Sequence, residues 1–398
     1  MRGLSAQDAS TSSDPGSGVD NLFSNPEGDT TTADSGADYR ATFESAPKTK
    51  VSGDLSGSFG LGLGWTQWPE LADPRAGLAT SVGFLGTTTA SFDARPDSSF
   101  HAAGTFSLTY DPRTSGSYVW DFSSIAISEL YGDYNLNDSL YLRFGQFGMS
   151  WGQGRLFMPG NLVSDASSGF ALRLSLPTLL SGLSFVALAQ PSFFATASSP
   201  SWREIAVGAT TDMVFGGLRV GFGGRYQLYS GARGLLSLKT TLFGTDLFAD
   251  GVASSNGADP TFQTMAGFFR EWGDFKVYGE WYWNGSSSMA SSWATSTDSL
   301  LSSATAGGTP GQSLGLVFAL QHILGTGVSG GLQWLHAFVD GSGIVVAGLS
   351  DSPWNHVTIK VAVPATYGAS EGYYVQNGVD SKKRRIACLV VVTIESGF

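Results

Sequence analysis

The sequence predicts an all-β protein: a single antiparallel, up-and-down transmembrane β-barrel of roughly 14 to 16 strands, preceded by a disordered polar arm. Three observations point to it. From about residue 49 to the end, segments of about ten residues alternate apolar with polar or small positions, the length and dyad period that a membrane-crossing strand requires. Tryptophan is abundant, with 11 residues, most of them at strand ends or in adjoining loops, where an aromatic girdle forms. In the final segment Ile386, Val390, Val392 and Ile394 share one parity ahead of a terminal Phe398.

Composition removes the competing classes. Charged residues make up only 14% of the 398, against about 25% in a typical soluble domain. Low charge, 42% hydrophobic residues and 53 glycines argue against a disordered chain and against a coiled coil. The longest apolar runs, such as 388–392, fall far short of the roughly 18 residues of a transmembrane helix. A net charge of −11 works against nucleic acid, whose phosphates need a basic surface. The single Cys388 excludes a disulfide framework and any CxxC metal site. His101, His322, His336 and His356 show no metal-ligand spacing. With no local Ser/His or Asp/His signature either, the sequence predicts no cofactor, no metal and no enzyme.

At the start, Leu4-Ser5-Ala6 before Gln7 reads as the end of a leader, with Met1 an internal start. Residues 1–48 are then the remnant of that leader plus a flexible arm or loose plug. This Asp/Ser/Thr/Gly-rich stretch buries too little apolar area to offset its ordering entropy, and Leu22-Phe23 is its one apolar spot. Residues 49–398 form the barrel. Short connections fall at 93–96, 132–138, 177–182, 215–217, 273–274 and 325–327. Longer ones fall at 66–75, 111–119, 151–168, 191–202, 231–260, 285–311 and 341–352. This alternation fits a bacterial barrel with short periplasmic turns, long outer loops and both termini periplasmic. Residues 231–248 read either as extra strands or as a folded outer loop, and 366–378 as a short strand before the last.

Parity assigns the lumen. Leu218, Val220, Phe222, Tyr226 and Leu228 occupy one face of their strand, so Arg219, Arg225 and Gln227 face inwards. The same reasoning places Tyr141, Arg143, Arg173, Lys276, Tyr278, Glu280 and Lys360 inside, because Arg or Lys facing lipid costs about 2–4 kcal/mol at the midplane. Rings of Arg and Lys favour anions. The alternative is a set of internal salt bridges with Glu129, Glu204, Glu280 and Glu395. The third outer loop, 151–168, is the one that folds into the pore in general porins. Arg155 is then the constriction charge and Asp165 its counter-charge, with Trp151 at the loop's entry; the simpler reading is a structured loop held by Trp151 and Phe157. Gly152-Gln153-Gly154 is not a nucleotide loop, since no strand–GxGxxG–helix unit surrounds it. The basic run 382–385 starts the final strand, as a solvated loop end or a contact to anionic lipid head groups.

The terminal Phe398 with its alternating apolar residues resembles the C-terminal signature of outer-membrane barrels, which implies the barrel-assembly machinery and the bilayer as partners. Phe92-Asp93-Ala94-Arg95-Pro96, Glu129-Leu130-Tyr131-Gly132-Asp133 and the segment Trp151-Gly152-Gln153-Gly154-Arg155-Leu156-Phe157-Met158-Pro159-Gly160-Asn161 resemble an uncharacterised family of spirochaete, Treponema-type outer-membrane barrels. That likeness covers roughly residues 50–190; Gly160-Asn161 stands where relatives tend to have Ala-Asp. A weaker resemblance, through Asn25-Pro26-Glu27 and the leading arm, is to the long-chain fatty-acid transporters. The expectation is therefore a porin-like channel for small solutes, leaning towards anions. Uptake of hydrophobic molecules is one alternative. A surface adhesin or antigen working through loops 231–260 and 285–311 is another.

Overall fold

The computed structural model describes residues 48–397 apart from 69–74, 76, 111–124, 165–168, 178–180, 191–192, 194–201, 229, 256–259, 286–310 and 380–382. The arm 1–47, Asp165, Lys382 and Phe398 thus lie outside the described residues, as does nearly all of the loop 285–311. Eighteen strands form one sheet: β1 (Lys48–Trp65), β2 (Leu78–Arg95), β3 (Phe100–Tyr110), β4 (Ala126–Leu136), β5 (Leu140–Gln146), β6 (Phe170–Pro177), β7 (Ser181–Ala189), β8 (Ile205–Phe215), β9 (Leu218–Gln227), β10 (Gly231–Leu242), β11 (Thr245–Ser255), β12 (Thr261–Trp272), β13 (Phe275–Asn284), β14 (Gln312–Leu320), β15 (Ser329–Ala337), β16 (Gly343–Trp354), β17 (Val357–Tyr367) and β18 (Ile386–Gly397). Each pairs antiparallel with its sequence neighbours, and β18 returns to β1 in continuous register from Asp54↔Gly397 to Trp65↔Ile386. The sheet therefore has no edge. In lipid only such closure satisfies every strand amide and carbonyl. An even strand number brings the start of β1 and the end of β18 to the same end of the barrel as the tight turns.

The turns show why the hairpins form where they do. Between β2 and β3, the Ser99 amide and hydroxyl both donate to Asp97 Oδ1 at 2.7 Å, and the Ser99 side-chain bond holds this carboxyl below the ordinary aspartate range. Between β10 and β11 the turn is only Phe243-Gly244, with φ of 52° and 73°, the backbone of a two-residue hairpin that needs positive φ at both positions.

Alternation in exposure follows the register. Along β1, Val51, Leu55, Phe59, Leu61 and Leu63 point outwards and are exposed, as are Leu218, Phe222 and Tyr226 on β9. They form the lipid-facing belt. The inward side chains divide the barrel into two halves. On β6 to β8 and β10 to β16 many are buried in two apolar clusters, whereas on β1 to β3 most of those in the lower half are only half-buried.

Four sequence expectations need correction. The barrel has 18 strands, not 14 to 16. Residues 231–260 are largely wall, the hairpin β10–β11; adjacent Leu235 and Leu236 and a Phe in the turn disguised its dyad pattern. Residues 341–352 are not a loop but most of β16, whose Gly348, Ser350 and Ser352 look like loop residues only because they are small and polar. Within 366–378 the extra element is a short helix, α1 (Tyr373–Asn377), rather than a strand.

The two faces respond oppositely to charge. Phe222→Arg, on the outer face near the middle of β9, is expected to destabilise the barrel by about 2–4 kcal/mol, while the inward Thr87→Arg costs far less. Denaturant titration of the heat-modifiable band in lipid vesicles measures both.

Candidate functional site

The connection between β5 and β6 carries Phe147, Met149, Trp151, Leu156, Phe157, Leu162 and Val163, all buried. So many apolar side chains cannot remain in water, and the barrel interior is where they are covered. Phe147, Met149, Trp151, Leu162 and Val163 pack with Ala171, Val186, Leu188, Ala206, Leu235 and Val252 of the β6–β11 wall. Leu156 and Phe157 cross to the other side and join Phe248, Met265, Tyr278, Tyr282, Leu335, Ile344 and Val346. The Phe157 ring stacks on Tyr282 at 5.3 Å between centroids. The loop thus spans the lumen from one wall to the other.

Two carboxylates from the wall hold its tip. Asp250 Oδ2, on β11, accepts the amides of Gln153 (2.7 Å) and Gly154 (3.2 Å). Glu280, on β13, accepts Arg155 through Oε1 (2.6 Å) and Leu156 and Phe157 through Oε2 (3.0 and 2.6 Å), and the Tyr278 hydroxyl also donates to Oε1. Five consecutive amides, which strand pairing leaves unsatisfied, meet two buried carboxyl groups that need donors. Removing either side chain would leave its amides buried without partners, at about 1–3 kcal/mol for each. Close backbone approach makes this possible: a Cβ on Gly152 (φ 85°) would stand 2.6 Å from Asp250 Oδ2 and 3.0 Å from the Cα of Gly160. The Trp151 ring lies over Gly208 of β8, where a Cβ would stand 2.9 Å from it, and against Gly223 of β9.

The structure brings several of the sequence-selected residues to this loop. Arg155 lies with its guanidinium 5.6 and 5.9 Å from the ring centres of Tyr278 and Phe269, a cation–π arrangement. Arg225 Nη1 donates to the Leu162 carbonyl (2.7 Å) and Nη2 to Gln227 Oε1 (3.0 Å), while Gln227 Nε2 donates to the Arg203 carbonyl (3.0 Å). Other selected residues bind mainly to the wall, although the Arg143 guanidinium also lies 5.5 Å from the ring centre of Phe147. Arg143 binds Asp133 through two bonds of 2.7 and 3.1 Å, and buried Arg173 donates to Ser184 Oγ at 2.9 Å. Lys276 lies 3.4 Å from Glu271. Tyr141 is buried on β5, Arg219 stands opposite Lys239, and Lys360 is half-buried opposite Ser350 and Val391. Glu280, read from sequence as a possible salt-bridge acid, instead serves backbone amides.

Sequence reasoning missed Asp250, Asp133 and His101. His101 Nδ1 lies 2.9 Å from Asp133 and Nε2 3.5 Å from Asp93, and Asp93 also binds Arg95 at 3.1 Å. The inward parity of β3 and β4 was the available signal; Asp250 lay in a segment whose strand character was open. Among the described residues no group of three or more His, Cys, Asp or Glu side chains is arranged to hold a metal.

A closed barrel whose lumen is narrowed by an inserted loop defines a porin-like class, and comparison with solved structures agrees. The chain is similar to Pseudomonas aeruginosa OccK2 (OpdF), with a TM-score of 0.53 and 11% identity over 88% of this chain and 98% of that one. The same protein in complex with glucuronate gives 0.52 and 12%, covering 88% and 97%. The outer membrane protein opdK of that organism gives 0.52 and 9%, covering 88% and 99%. At these identities the likeness establishes the fold alone, a closed antiparallel β-barrel like those of these proteins. No family model and no curated protein matches the chain by sequence. The spirochaete and fatty-acid-transporter resemblances have no counterpart in these structures.

Glu280→Gln replaces an acceptor oxygen by an amide donor facing donors. Hydrogen exchange at amides 155–157 in the lipid-folded protein is expected to accelerate at least about tenfold, equivalent to ~1.4 kcal/mol of easier opening. Asp250→Asn acts on amides 153 and 154 instead.

Proposed function

We propose that this protein is a channel of the bacterial outer membrane that passes small hydrophilic solutes, with the loop 147–164 as its constriction and a lean towards anions. The observation that carries this reading is the loop held across the lumen by Asp250 and Glu280. It narrows a barrel whose opposite wall stays polar. There Ser58 and Thr393 hydroxyls lie 3.1 Å apart, Ser91 and Thr105 3.2 Å apart, and Ser56 donates to the Thr87 carbonyl. Such a wall suits water-soluble solutes better than fatty acids. The adhesin reading loses one of its two loops, because 231–260 is mostly barrel wall.

The anion preference rests on the register. Arg143 faces Arg173, Arg219 faces Lys239 and Arg225 faces Arg233 across neighbouring strands. Like charges directly opposed are destabilising, and an entering anion relieves them. Acids offset part of this field: Asp133 takes Arg143, and Asp246 lies 3.7 Å from Lys239. The preference is accordingly modest, and Arg155 at the loop tip is its leading determinant. That one neighbour is seen with glucuronate, a small sugar acid, fits this class of solute. The reading places the tight turns, the start of β1 and the end of β18 on the periplasmic side, and makes β18 the segment offered to the barrel-assembly machinery.

Planar-bilayer recording of the refolded protein tests the proposal. Steady ohmic steps are expected, with a reversal potential in a salt gradient on the anion side. Arg155→Ala is expected to shift that potential towards zero while leaving the heat-modifiable fold intact. A folded barrel that gives no steps overturns the reading.

A further inference from the structure

We propose that the last outer connection, between β17 and β18, is a second jaw of the constriction, seated on one side by Asp340 of the β15–β16 connection and on the other by Arg384 against β1. This inference rests on the channel reading above. The described part of the connection does not project away from the barrel. Tyr373, Tyr374, Val375 and Val379 are buried, and Tyr373, Tyr374 and Val379 belong to the same apolar cluster as Leu156 and Phe157 of the inserted loop. That cluster also contains inward side chains of β15, β16 and β18, namely Leu335, Ala337, Ile344, Val346 and Ala387. The segment therefore enters the lumen and meets the first loop there.

Its attachment repeats the logic of the first loop with different residues. Asp340, in the connection between β15 and β16, accepts the amide of Ser342 through Oδ1 (2.8 Å) and that of Tyr373 through Oδ2 (2.7 Å). The amide of Tyr374 donates to Ser342 Oγ at 3.2 Å. One aspartate and one serine thus satisfy the first free amides of α1. Beyond the helix the chain turns back at Gly378 (φ 66°), and the Val379 amide donates to the Arg384 carbonyl at 2.8 Å. The Arg384 side chain then reaches β1. It is 5% exposed, and a Cβ on Gly64 would lie 2.6 Å from its Nη1 and 2.7 Å from its Nε. The absent side chain at Gly64 is the seat of the guanidinium. Arg384 is thus turned into the protein rather than solvated at a loop end or presented to lipid head groups.

The two inserted segments divide the work. Residues 147–164 cover the β6–β16 side, and 372–379 with Arg384 cover the arc from β15 to β1. Among the described residues, neither segment's buried apolar side chains pack on β2 or β3. Asp340 and Arg384 are positioning residues: they set how far the second jaw extends and need not touch the solute.

The experiment is single-channel recording of wild type, Asp340→Ala and Arg384→Ala, each first shown to be folded by heat modifiability. Two variants at separate seats guard against one failing to fold. Release of the jaw is expected to raise unitary conductance by roughly 1.5- to 2-fold and to add open-channel noise, since a constriction governs pore conduction, without moving the ion selectivity set by Arg155. Wild-type steps with both variants unchanged in conductance and noise overturn the second jaw and leave the channel reading standing. No steps from folded wild type overturn the channel reading and the jaw with it.

Discussion

Asp250 and Glu280 are the hinge on which the interior turns. A loop can enter a barrel only if its backbone polar groups find partners there, because each unsatisfied buried amide costs free energy comparable to a lost hydrogen bond. The wall strands have none to offer, since their own groups are used in the sheet. Inward carboxyl groups solve this, and the arrangement is reciprocal: the amides need acceptors, and two carboxyl groups in an apolar interior need donors. Everything else about the loop follows from that exchange. Phe157 can stack on Tyr282 and Trp151 can lie on glycine because the tip between them is fixed.

Much of this was legible in the sequence, and the limits are physical. The dyad pattern identified the barrel because lipid-facing positions must be apolar throughout, so the signal recurs in most strands. It undercounted the strands where inward residues are small or polar on both sides of a turn, as in β16, or where the turn carries a Phe. Inward parity was recoverable for Arg143, Arg173, Arg225, Lys276 and Glu280, since alternation alone determines it. What each inward side chain binds was not, because partners come from residues far apart in the chain. Glu280 and Leu156 are separated by 124 positions, and no local pattern records that. The hydrophobic content of 147–163 was the overlooked cue: eight large apolar residues in a loop already demand a place inside.

The charges inside the barrel illustrate how a basic list can mislead. Arg143, Arg173 and Lys276 all face inwards, yet a carboxylate, a hydroxyl and a second carboxylate respectively occupy them. A field in the lumen is the residue of such pairings, not their sum. What remains is local: Arg219 stands opposite Lys239 and Arg225 opposite Arg233.

The seam between β1 and β18 has a consequence for how the molecule comes to exist. It pairs residues more than 300 positions apart, Ser58 with Thr393 among them, so the ring cannot shut until the last strand is available. Contacts of such long range are slow to form because loop entropy must be overcome before they contribute. A barrel that has lost one strand has two bare edges rather than a slightly weaker wall. The inserted segments lie inside the circumference, and threading them after closure means passing aromatic side chains through a finished mouth. The geometry favours assembly in which both segments are already folded against the growing sheet when the seam closes, which makes the seam a kinetic latch as well as a bond.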